Sequence, residues 1–173
     1  MEWQSHLKHH AEAAYRAVEG LFELVTEDML QWKPDTGSNW LTTAQLLEHI
    51  TSSCGSMCKG FVSGDWGMPA EAFEAMPPEE LLPPAEKFPA MVSLADARTK
   101  LAADKKIAFE SIEAVSEHDL ETRRMVAPWD PTERSLGDWI MEPIEHLVAH
   151  KSQLFYYLKL QGANVDTRHL WGM

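Results

Sequence analysis

His146 and His150 stand one helical turn apart in the run Glu145-His146-Leu147-Val148-Ala149-His150-Lys151-Ser152-Gln153. Four residues turn an α-helix through about 400°, so the two imidazoles share one face to within about 40°. At that spacing two side chains can reach a single divalent ion. Gln153 and Tyr157 continue the same polar strip, beside an apolar stripe of Leu147, Leu154 and Leu158. A third imidazole, His49 in Gln45-Leu46-Leu47-Glu48-His49-Ile50, borders the buried stripe of an earlier helix, about 60° from Leu46 and about 100° from Ile50. Three imidazoles from two helices would leave one coordination position open, as catalytic rather than structural sites do. Zn²⁺ held this way lowers the pKa of its water to about 7. Spacing alone equally allows a plainer state, in which the pair bonds locally or faces water and His49 is a satisfied boundary residue.

Acids flank each candidate ligand. Glu142 lies one turn before His146, and Glu48 and Glu145 are chain neighbours of His49 and His146. Each is a candidate to orient an imidazole or carry a proton, and Glu142 is the best placed. His6, His9 and His10 cluster on the first helix, with His10 on its predicted seam, and are not assigned as ligands. Cys54 and Cys58 form no C-x-x-C pair and read as small apolar core residues. No Glu has a His three residues later, which excludes the usual carboxylate-bridged di-iron bundle. H-E-x-x-H, Walker, G-x-G-x-x-G and G-x-S-x-G motifs are also absent.

Four helices must position these side chains. The spacing of Trp3, Leu7, His10, Ala14, Ala17, Leu21 and Leu24 predicts a helix over about 3–30. Thr42-Thr43-Ala44-Gln45 reads as a capping box opening a second helix over about 42–63, with Leu41 and Leu46 as its staple. Prolines 69, 77, 78, 83, 84 and 89 impose a long connection with room for one short helical turn. Ser93 with Asp96 opens a third helix over about 93–116, and a fourth runs over about 138–162 to Gly162. Pro143 either kinks that helix or marks its first turn. Residues 163–173 read as an irregular extension.

With no alternating strands in view, the expected fold is all-α, a four-helix bundle with long irregular connections in a single domain over 1–173. A formal charge of -12 argues against nucleic-acid and anionic-membrane partners. No apolar run of about 18 residues exists to span a bilayer. The first residues lack the basic start and apolar core of a signal peptide, so a cytoplasmic location is expected.

Three segments resemble the DinB-like, damage-inducible family. Thr26-Glu27-Asp28-Met29-Leu30-Gln31-Trp32-Lys33-Pro34 is similar to its L-T-x-E-x-L-x-W-x-P transition. The segment from Ser38 to Ile50 resembles its capped helix ending in L-x-H-I, and Glu145 to Gln153 resembles its E-H-x-x-x-H-R-G-Q, with Lys151-Ser152 in place of Arg-Gly. The resemblance implies an up-down-down-up bundle that forms homodimers and a metal triad of His49, His146 and His150. It further implies a divalent transition metal, Zn or Ni first and Fe or Mn next. Family members of known chemistry use such a metal to activate a low-molecular-weight thiol. A metal-dependent enzyme transferring a thiol to a small electrophilic substrate is therefore expected. The alternatives are a metal-dependent hydrolase and a non-catalytic dimeric metal- or small-molecule-binding stress protein.

Overall fold

A computed structural model describes residues 2–67, 69, 72, 76, 77, 80 and 83–173. The expected connection over 64–89 falls partly outside the described residues. The chain is mostly helical: α1 (Trp3–Phe22), α2 (Thr43–Ser53), α3 (Gly55–Ser63), α4 (Leu94–Glu113), α5 (Glu117–Thr122), α6 (Leu136–Leu160) and α7 (Thr167–Trp171). The long helices pack around one core. α1 lies against α4 and α6, and the α2–α3 segment lies against the same two. No helix among the described residues is long and apolar enough to cross a membrane.

α1 buries Leu7, Ala11, Ala14, Tyr15, Val18, Leu21 and Phe22. The seam therefore runs through Ala11, and His10 is turned out to solvent. The helix stops eight residues before the predicted end because Thr26-Glu27-Asp28 starts a new turn. Thr26 adopts an extended conformation, its hydroxyl bonds Asp28 Oδ1 at 2.5 Å, and a 3-10 turn follows over Glu27–Met29.

The expected capping box at α2 is present. Gln45 N–H donates to Thr42 Oγ1 and Thr42 N–H to Gln45 Oε1. The other free amides at this helix start are used as well: Thr43 N–H donates to Trp32 O and Ala44 N–H to Leu30 O. Gln45 Nε2 donates to Ala85 O at 2.7 Å and Phe88 O at 2.9 Å, tying the 83–90 segment to α2.

The predicted single helix over 42–63 is two helices. At Cys54 the ladder is interrupted, and α3 starts with its first amide donating from Gly55 to Asp104 Oδ1 of α4 at 2.8 Å. Tyr15 Oη donates to the other Asp104 oxygen at 2.6 Å. This carboxylate is buried, and burial raises its pKa to about 6 against the opposing hydrogen bonds from Tyr15 and Gly55. Cys54 and Cys58 are buried free thiols beside it, as a core role requires.

A hairpin, β1 (Arg124–Ala127) and β2 (Asp130–Ser135), occupies a stretch expected to be irregular. Arg124 pairs with Ser135 and Ala127 with Asp130, around a bulge between Met125 and Ala127. The bulge, Pro128 in the turn and Pro131 inside β2 break the alternation that would reveal strands in sequence. β2 runs straight into α6, whose first turn is capped by Ser135 accepting from Asp138 N–H. Pro143 thus lies inside α6, so the first-turn placement is wrong. The tail is not irregular throughout: α7, capped by Asp166, docks on α1 and α6.

Gly55 is the tightest point of this scaffold, because a methyl group there would overlap the Asp104 carbonyl oxygen. Gly55→Ala is expected to lower stability by about 1–3 kcal/mol in urea denaturation. An unchanged midpoint would show that α3 and α4 are not packed this closely.

Candidate metal centre

α2 and α6 lie side by side and bring the three predicted histidines together. His49 Nε2 is 3.3 Å from His146 Nε2 and 3.1 Å from His150 Nε2, and the last two are 2.7 Å apart. All three rings are half-buried. They form the one group of three ligand atoms within 4.8 Å of one another among the described residues.

Three neutral imidazoles cannot satisfy this triangle by hydrogen bonding. Each Nε2 is either a donor or a lone pair, so at least one of the three contacts must join like to like. A cation accepting all three lone pairs removes the conflict. An ion about 2.0–2.1 Å from each nitrogen requires nitrogens about 2.8–3.0 Å apart in octahedral and about 3.3–3.4 Å apart in tetrahedral arrangement. The observed separations match this to within a few tenths of an ångström.

One chain of bonds sets the tautomer. Leu41 O can only accept, so Tyr157 Oη donates to it at 3.0 Å; Tyr157 then accepts from Gln153 Nε2 at 3.5 Å. Gln153 Oε1 is left to accept from His150 Nδ1 at 3.0 Å. His150 therefore presents its Nε2 lone pair to the centre. His146 Nδ1 is buried with no hydrogen-bond partner among the described residues. The two aromatic rings flanking Tyr157 are Trp32 and Trp40, and the ring edge against His49 is Phe88.

Burial, then the nearby imidazoles, pushes the pKa of His49 down to about 4; burial and His150 do the same for His146. His150 is lowered by burial, opposed by Gln153. The rings are therefore neutral at physiological pH, the state a metal ligand needs.

The flanking acids are not part of the ligand cluster. Glu142 is held by Arg134 at 3.0 Å, Glu48 by Lys100 at 2.9 Å, and Glu145 is exposed. Lys151 does not line the site: its ammonium bonds Leu170 O at 2.9 Å and anchors α7. Nothing in the sequence points to Phe88 or to the bridging amide of Gln45. Phe88 sits in a proline-rich stretch without periodicity, and only the pairing of Gln45 with distant carbonyls places it.

Two helices of a mostly helical scaffold thus bring three imidazoles to one point. The chain belongs to the DinB superfamily, whose family profile matches residues 10–158. It is similar in fold to a DinB-like protein of Bacillus subtilis, at 18% identity and TM-score 0.61 over 95% of both chains. It is also similar to a proposed DinB family member from Exiguobacterium sibiricum, at 18% identity and TM-score 0.64 over 98% of both. Comparison with curated proteins gives no match.

Two predictions follow from these contacts. Gln153→Leu should weaken Zn²⁺ binding about 10–100-fold in chelator competition, while Gln153→Glu, which keeps an acceptor, should lose less. The second concerns acid. Between about pH 6.5 and 4 the unfolded chain binds protons that folded His49 and His146 refuse, so their contribution to stability is full above that window and lost on descending through it. Asp104 acts oppositely, since its folded pKa of about 6 lies above its unfolded value. Metal-free Asp104→Asn should therefore lose urea stability more steeply than wild type between pH 6.5 and 4; equal slopes would contradict these assignments.

Proposed function

We propose that this chain is a divalent-metal-dependent enzyme that activates a low-molecular-weight thiol for transfer to an electrophilic substrate. Convergence of the three Nε2 atoms is the observation that carries the reading. A transition ion held by His49, His146 and His150, Zn or Ni first and Fe or Mn next, would supply Lewis acidity that lowers the pKa of a thiol. The reading treats the four helical segments as the up-down-down-up bundle of the family, working as a homodimer.

The surrounding residues fit small-molecule chemistry. One turn before His49, Gln45 lines a cavity of about 200 Å³ with Lys33, Asn39, Trp40 and Glu86. It offers charges of both signs, an amide and an aromatic wall, as a thiol of peptide-like character requires. In the transfer the sulfur forms a bond to the electrophilic carbon, the leaving group departs with the bonding pair, and the thiol proton passes to a base. Glu142 is the proposed proton carrier, one turn from His146 on the same strip. Arg134 positions its carboxylate, and the pair must part before the proton is taken.

The test uses tag-free, fully metallated protein with glutathione, bacillithiol and mycothiol against a panel of electrophiles, following adducts by mass spectrometry. Turnover is expected with at least one thiol. His49→Ala should abolish it together with the bound metal, and Glu142→Gln should slow it by about 10²-fold or more with the metal retained. Stoichiometric binding without turnover would make the chain a binding protein, and thiol-independent cleavage of esters or amides would make it a hydrolase.

A further inference from the structure

The groove between α6 and α1 carries ligand-type side chains that the triad does not use. Glu145 and His146 are adjacent, so about 100° of helix rotation separates them. His146 meets α2, whereas Glu145 faces the groove between α6 and α1. A cavity of about 460 Å³ there is lined by His6 and His10 of α1 and by Met141, Ile144, Glu145 and Val148 of α6. His6 and His10 are one turn apart, with ring centroids separated by 4.4 Å and planes inclined at 67°. The side chains of His6, His10 and Glu145 make no hydrogen bond or ion pair among the described residues. Three strong ligands therefore line one cavity with their lone pairs uncommitted.

We propose that His6 and His10 chelate a second divalent transition-metal ion, with Glu145 completing the site from the facing helix. Two imidazoles and a carboxylate suit Zn²⁺, Ni²⁺ or Cu²⁺ rather than Mg²⁺ or Ca²⁺. The chain's formal charge of -12 raises the local concentration of any cation. Unlike the triad, these ligand atoms are not gathered within 4.8 Å. Closure needs rotamer changes, which exposed side chains make within nanoseconds. The second site is consequently the weaker of the two.

Equilibrium dialysis of tag-free protein against Zn²⁺, with elemental analysis, tests this directly. His6→Gln/His10→Gln should hold one ion fewer per chain than wild type, and Gln, a good helix former, preserves α1. His49→Ala should keep the site, which separates it from the triad. Glu145→Gln should weaken the second binding step by about tenfold. Equal zinc content in wild type and His6→Gln/His10→Gln across the titration would overturn the proposal.

Discussion

Everything at this site depends on three imidazole nitrogens being pressed to within 2.7–3.3 Å of one another by two helices. The contact is unfavourable for the protein alone. Neutral rings cannot all be paired, and protonated rings would repel one another in a half-buried setting. Packing holds them regardless, since Leu46, Leu47 and Ile50 of α2 and Leu147 and Leu154 of α6 are fully buried around them. The local cost is set against the apolar burial of two helices. Such a conflict inside a well-packed scaffold is what a preorganised cation site looks like.

The remainder of the architecture fixes where α2 and α6 can sit. The start of α2 is bound at Thr42, Thr43 and Ala44 by its own cap and by the carbonyls of Leu30 and Trp32. Its far end is set by Asp104, which reaches from α4 to start α3 and also holds Tyr15 of α1. α6 is entered directly from the hairpin, with Trp139 Nε1 donating to Met125 O at 2.8 Å. The His150, Gln153, Tyr157 and Leu41 chain then joins α6 to the segment leading into α2. The same bonds therefore orient a ligand and fix the distance between the two helices.

What the sequence discloses here is local. The turn-spaced pair on α6, the position of His49 at the edge of a buried stripe, the Thr42 box and the long helices all follow from periodicity and caps. The features that escape it are set by partners far along the chain. The break at Cys54 depends on Asp104, about fifty residues later, and the placement of Phe88 depends on a side-chain amide in α2. The periodic pattern of the first helix continues past its end at Phe22, where Thr26-Glu27-Asp28 is itself a start signal. A four-three alternation starting at Trp3 fits His10 as well as the Ala11 register that packing selects. The hairpin was hidden by a bulge and two prolines.

The central claim is that His49, His146 and His150 bind one ion through Nε2. The most direct measurement is a crystal structure of the zinc-loaded protein with anomalous diffraction collected at the zinc edge. The account predicts an anomalous peak between α2 and α6, about 2.0–2.1 Å from all three Nε2 atoms. Zinc elsewhere only, with the three imidazoles turned apart or bridged by water, would contradict it.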